Sequence, residues 1–336
     1  VARGAYIFGC EGLRLTPIEA AFFRAADPWG FILFARNIED PEQVKRLTGE
    51  LRDSVGWDAP VLIDQEGGRV QRMRAPNWRE WLPPLDQCTQ AGRSAARSMY
   101  LRYRIIADEL RTVGIDVNCA PSGDLAGEET HPFLRNRCYG SEPGRVAGIA
   151  RAVATGLMAG GVLPIMKHMP GHGRATVDSH AGLPHTDASP EELMATDFAV
   201  FRALSDLPLG MTAHVRFDAY DDKAATLSSR MIRLIREEIG FDGLLMTDDI
   251  GMGALGGTVP SRGRAAIAAG CDVVLHCNGT IPEMEAMAAA AGRMSEAARL
   301  RGERALRARR NPQKIDIPAA EAELEALLGG QAYGRS

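Results

Sequence analysis

The amino-acid sequence predicts an α/β protein, a (β/α)8 barrel of the TIM type, and three observations carry that prediction. Eight short apolar runs recur along the 336 residues, helix-like segments separate them, and polar residues follow seven of the eight. The runs are Tyr6–Gly9, Phe31–Phe34, Val61–Asp64, Ile115–Cys119, Leu163–Lys167, Leu209–Ala213, Leu244–Thr247 and Val273–His276. They are mostly continuous rather than alternating, which suits strands covered on both faces.

The segments between the runs read as helices. Thr16-Pro17-Ile18-Glu19 opens the first with an N-cap, a proline in the first turn and an acid at the third position. Further helices are expected over Glu42–Val55, Ala91–Val113, Pro143–Gly160, Pro190–Ser205, Ser229–Ile239 and Arg262–Ala269, then a long last pattern over Ile281–Arg310. Eight strand–helix units favour a closed barrel, with an open doubly wound sheet as the alternative. After Asn311-Pro312 one short helix is expected near Ala319–Leu328. Residues 1–336 thus read as one catalytic domain with a helical tail over about 312–336.

Composition narrows the function classes. Apolar residues make up 45% and charged residues 24%, the balance of a globular protein that folds without disulfides or metal. The net charge of −4 gives no electrostatic reason to expect nucleic acid or an acidic membrane as partner. The cysteines at 10, 88, 119, 138, 271 and 277 form no CxxC pair and read as buried, reduced thiols. No signal-like segment opens the sequence and no apolar stretch reaches ~18 residues, so a cytoplasmic monomer is expected. Arg299, Arg301, Arg304, Arg307, Arg309 and Arg310, interleaved with Glu303, read as a solvated helix face.

Barrel chemistry sits at the carboxyl ends of the strands. There the runs lead to Glu11, to Arg36-Asn37, to Asp64-Gln65-Glu66-Gly67-Gly68-Arg69, to Asp124, to Lys167-His168, to His214 and to Asp248-Asp249. Four of the seven histidines fall between positions 168 and 185, and Pro170, Gly171 and Gly173 mark that stretch as a loop. Two chemistries could use such a set. Metal-dependent hydrolysis would employ His168, His172, His180 and His214 with nearby carboxylates. Glycosidic cleavage would need a nucleophile and an acid/base. Pro170-Gly171 denies His168 and His172 a helical His-x-x-x-His geometry, whereas Asp178-Ser179-His180 lets a carboxylate orient an imidazole. Glycoside chemistry leads. A metal hydrolase and a non-catalytic sugar-binding protein remain open.

The motifs also resemble a known family. Lys167-His-Met-Pro-Gly-His-Gly173, ending in Asp178-Ser-His180, resembles the signature loop of glycoside hydrolase family 3 β-N-acetylglucosaminidases, and Met246-Thr-Asp-Asp-Ile250 their nucleophile strand. Asp64-Gln-Glu-Gly-Gly-Arg-Val-Gln-Arg72, Phe34-Ala-Arg-Asn37 and Asn136-Arg-Cys-Tyr-Gly140 resemble further family segments, so the likeness runs from about residue 5 to 280. It implies Asp248 as nucleophile, His180 as general acid/base and Asp178 as its orienting partner. Asp64, Arg72, Arg137, Lys167 and His168 would bind the sugar. Asp249 should point elsewhere, because successive strand residues face opposite sides. No metal and no cofactor are implied. The implied reaction is retaining removal of non-reducing N-acetylglucosamine from peptidoglycan turnover products, GlcNAc–1,6-anhydro-N-acetylmuramic acid with or without stem peptide. Three positions depart from the pattern: Met169 replaces an aromatic residue, and Arg174-Ala175 replace small or acidic ones.

Overall fold

A computed structural model describes residues 2–175, 183–330 and 332–333. Its main sheet has eight parallel strands: β1 (Gly4–Gly9), β2 (Pro28–Leu33), β3 (Val61–Ile63), β4 (Val117–Asn118), β5 (Leu163–Met169), β6 (Leu209–Thr212), β7 (Leu244–Met246) and β8 (Val274–His276). They neighbour one another in chain order from β1 to β7, and β8 returns to pair with β1, Tyr6 lying opposite Val274. A bridge between Met246 and Val273 spans the remaining seam, where Thr247 N–H also donates to Val273 C=O at 3.2 Å. The result is a nearly closed (β/α)8 barrel. Every predicted strand is present, and the open-sheet alternative falls.

Alternation explains why the runs are apolar throughout. Ile7, Ile32, Leu62, Ile165, Met211 and Leu275 point inward into one cluster that fills the barrel. Phe8, Phe31, Ile63, Met166 and Leu245 point outward into the cluster shared with the helices. Successive strand side chains alternate, and both destinations here are dry.

Helix boundaries differ where a local break overrides periodicity. The Ile281–Arg310 pattern forms two helices, Ile281–Ala291 and Glu296–Arg307. Gly292, at φ 70°, turns the chain left-handed between them, and Arg293 bridges antiparallel to Gly4. The Pro190–Ser205 pattern divides at Thr196 into Pro190–Ala195 and Asp197–Ala203. An unforeseen helix, Pro84–Ala91, precedes Ala95–Thr112. The C-terminal helix, Ile317–Leu327, docks beside Ala95–Thr112, and Arg97 grips Glu323 at 2.7 and 2.8 Å.

The arginine-rich face is less solvated than its composition implies. Arg301 and Arg309 reach the buried carboxylates of Asp272 and Asp116 at 3.0 and 2.9 Å. All six cysteines are buried and free. Among the described residues no helix is long and apolar enough to cross a membrane.

Candidate active site

The carboxyl ends of the strands surround a cavity of about 200 Å³. Asp64, Arg72, Arg137, Lys167, His168 and Asp248 all line it, so six residues separated by up to 184 positions in sequence converge on one space. Inward-facing Ile32, Met211 and Leu275 close its base, and Phe34, Val70 and Phe133 contribute apolar wall. Asp178 and His180 lie outside the described residues.

The first group is delivered by a hairpin after β3, Gln65–Gly67 against Val70–Gln71. Buried Gln65 holds it closed: its side-chain oxygen accepts from Arg72 N–H at 2.9 Å and Met73 N–H at 3.1 Å, and its amide donates to Met73 C=O at 2.9 Å. Asn118 on β4 then pins Gln65 through both main-chain groups at 3.1 Å. Gly67 has φ 102°, and a Cβ there would run into the Arg102 guanidinium beneath the hairpin. Asp64 and Arg72 are thereby presented to the cavity, with Glu66 buried beside them.

These acids meet cations from two other elements. Lys167 Nζ on β5 donates to Asp64 Oδ1 at 2.9 Å and also contacts Glu66 Oε1. Arg72 holds Asp64 Oδ2 at 3.1 Å. Arg137 grips Glu66 in a two-pronged contact at 3.0 and 2.8 Å. Burial alone would raise the Asp64 and Glu66 carboxyls, but the facing lysine and arginines hold both below the usual carboxylate range. The same pairing pushes the Lys167 and Arg137 cations up against their desolvation. Each buried acid of this network therefore faces a cation.

His168 lies between two acids. Its Nδ1 is 2.7 Å from Asp124 Oδ2, and its Nε2 is 3.9 Å from Asp248 Oδ2. Asp124 is fully buried, accepts His172 N–H at 2.8 Å through its other oxygen, and is held down at about 2. Desolvation opposes that shift, and the two histidines outweigh it. Gly173 lets the β5 loop press close: a Cβ there would stand 2.0 Å from Leu125 C=O.

Asp248 follows β7. One oxygen accepts Asp249 N–H at 2.8 Å. Burial would raise its carboxyl, but His168, His214, that N–H and Lys167 together leave it below the ordinary value. Asp249 departs from expectation. Because β7 ends at Met246, strict alternation does not reach it, and Asp249 lines the cavity too. Its Oδ1 is nevertheless engaged by Gly251 N–H and Cys277 N–H, both at 3.1 Å.

The ring of strand-exit residues proves to be three sets, of which the first lines the cavity. Asn37, Asp124 and His214 are buried supports: Asn37 binds Cys10 and Gly12 carbonyls, and His214 spans Thr226 Oγ1 at 2.8 Å and Asp249 C=O at 3.0 Å. Glu11 and Arg36 border a neighbouring cavity. Met169 is a fully buried strand residue, not a loop residue. Arg174 is pinned by Asp197 and Glu192, both at 2.7 Å. Sequence reasoning missed the part of Glu66, although an acid two residues after Asp64 in a Gly-Gly hairpin was a usable signal. It also gave no role to two aromatic walls: Phe34, although its segment had been singled out, and Phe133, which nothing in its local sequence distinguishes. Among the described residues no group of three or more His, Cys, Asp or Glu is arranged to hold a metal ion.

Comparison with known proteins agrees with this geometry. Residues 28–305 match the glycosyl hydrolase family 3 N-terminal domain. A β-hexosaminidase of Alkalilimnicola ehrlichii is 36% identical over 283 residues, 82% of this chain and 81% of the relative. NagZ from Neisseria gonorrhoeae, solved in complex with N-trifluoroacetyl-D-glucosamine, superposes with a TM-score of 0.86 at 30% identity, over 98% of this chain and 99% of that one. A family 3 β-N-acetylglucosaminidase from Paenibacillus sp. gives 0.78 at 29% identity, over 99% of this chain and 62% of its own.

Proposed function

The chain belongs to glycosyl hydrolase family 3 and is a β-hexosaminidase, a glycoside hydrolase; from that premise we propose that it removes terminal β-linked N-acetylglucosamine with retention, using Asp248 as nucleophile. The observation that carries this reading is the placement of Asp248: an ionised carboxylate at a strand end, facing across one cavity a charged network suited to sugar hydroxyls. Lys167, Arg72 and Asp64 offer both donors and acceptors there, and His168 Nε2 stands 3.9 Å from Asp248, a gap that a sugar hydroxyl can bridge. A compact cavity suits a chain end better than a chain interior.

In the proposed reaction Asp248 attacks the anomeric carbon while His180, oriented by Asp178, protonates the leaving oxygen. The covalent glycosyl-enzyme then yields to water, which gives its proton back to His180, and the net stereochemistry is retained. An imidazole carries no negative charge either as the protonated acid or as the neutral base, so it does not raise the Asp248 carboxyl by like-charge repulsion as a second carboxylate would. Acid/base and electrostatic contributions of this kind are each typically worth ~10²-fold or more. The substrate we propose is GlcNAc–1,6-anhydro-N-acetylmuramic acid, with or without its stem peptide, and the setting is the cytoplasm.

Incubation with an activated 2-deoxy-2-fluoro glycoside or a 5-fluoro N-acetylglucosaminyl donor, followed by peptide mass mapping, tests this. A stoichiometric sugar adduct on the peptide carrying Asp248 is expected. An adduct on Asp249, or steady hydrolysis with inverted product, would overturn the assignment.

A further inference from the structure

The loop after β5 brings a second imidazole into the cavity. His172 lines it beside His168, with ring centroids 5.6 Å apart and planes at 70°. It is 8% exposed, its Nδ1 is buried without a hydrogen-bond partner, and no hydrogen bond to its Nε2 is found among the described residues. Among the described residues, every other cationic or imidazole group in this wall is already engaged: Lys167 and Arg72 by Asp64, Arg137 by Glu66, His168 by Asp124. A buried polar ring left unpartnered in a native protein calls for an explanation, and a ligand that completes it is one.

The main chain of His172 is fixed independently of its ring. Asp124 Oδ1 accepts its N–H at 2.8 Å, while Asp124 Oδ2 takes His168 Nδ1 at 2.7 Å. One buried carboxylate therefore sets the positions of both histidines. Burial, aided by His168, pushes His172 down to about 4. The ring is neutral at physiological pH and offers one donor and one acceptor.

We propose that His172 is a further sugar-binding residue of this site, its accessible ring nitrogen, Nε2, hydrogen-bonding a hydroxyl of the bound hexosamine. The inference rests on the glycosidase reading above. His168 and His172 then act as paired imidazoles, the first between Asp124 and Asp248, the second closing on the sugar from the loop.

Steady-state hydrolysis of 4-nitrophenyl N-acetyl-β-D-glucosaminide and binding of free N-acetylglucosamine test it, with thermal unfolding as the control. His172→Phe keeps a flat ring without nitrogens. It is expected to raise KM and weaken N-acetylglucosamine binding by about tenfold, the loss expected for one hydrogen bond in a dry site, with a smaller fall in kcat. His172→Gln, which restores a donor and an acceptor, should recover part of the loss. Wild-type KM and binding in folded His172→Phe would overturn the proposal. So would equal losses in the Phe and Gln variants, because a merely structural ring gives that result. Should His172→Phe not fold, His172→Asn and His172→Gln decide by the same KM and binding measurements, which must lie between wild type and the folded His172→Ala. Failure of the wild type to hydrolyse any N-acetylhexosaminide would instead remove the parent reading.

Discussion

At the amino-terminal end of the barrel Asp116 stands just before β4 and Asp272 just before β8; at the other end Asp64 and Asp248 stand just after β3 and β7. All four are acids at strand ends. The basal pair is saturated. Asp116 accepts Val61 N–H at 2.9 Å and meets Arg309 at 2.9 Å and Arg52 at 3.3 Å. Asp272 accepts Leu245 N–H at 2.9 Å and meets Arg236 at 2.7 Å and Arg301 at 3.0 Å. Each joins a neighbouring strand to distant arginines with almost no exposure of its own. At the mouth, Asp64 keeps two cations but opens on a cavity, and Asp248 has one hydrogen bond among the described residues. The difference teaches that buried charge by itself does not mark a site. Charge with unused hydrogen-bonding capacity facing an open volume does.

Exchanging the two acids' fates is the sharpest way to break that contrast. Asp248→Ala should lower kcat for an aryl N-acetylglucosaminide on the order of 10⁴-fold or more, with the thermal midpoint close to wild type. Near-normal turnover would place Asp248 with the structural acids. Asp272→Ala should do the reverse. It takes the buried carboxylate from two partly buried arginines and leaves Leu245 N–H without its acceptor, and about 3 kcal/mol of stability should be lost in denaturant titration. The kcat/KM of its folded fraction should stay within about twofold of wild type. A larger catalytic defect would mean that the base of β7 steers the nucleophile.

The fold was largely readable because its signal is repeated. Eight apolar runs with helix-like segments between them survive local misreadings, and Gly292 or Thr196 could split a helix without disturbing the count. Motif positions such as Asp64, Lys167 and Asp248 were also readable, because strand ends in this architecture face a common mouth. What was not readable is which polar residue turns into the cavity and which turns beneath it. Asp124 and Asp248 both follow strands, yet one is fully buried under two histidines and the other lines the open space. Arg309 shows the same limit at the other end: a helix pattern cannot say that a long side chain will find Asp116 across the barrel base. Asp249 lay beyond the strand whose alternation was used to place it.

Asp124 lies between the two classes and offers the smallest effect. It is as buried as the basal acids but belongs to the mouth, through His168 and His172. Its carboxyl is held at about 2 in the folded protein, against ~3.9 for an unperturbed aspartate. A depressed carboxyl favours the folded state at any pH above the unfolded value, and that favour fades as pH falls through the folded one. The contribution, on the order of 2–3 kcal/mol for a shift of this size, should therefore be intact at pH 5 and vanish between about pH 4 and 2. Asp124→Asn removes the titrating group while keeping an oxygen for His172 N–H. Its thermal midpoint should fall less steeply than wild type across that window and converge with it near pH 2. Parallel curves from pH 5 to 2 would show that Asp124 carries no linked proton, and its place beside the basal acids would then rest on hydrogen bonding alone.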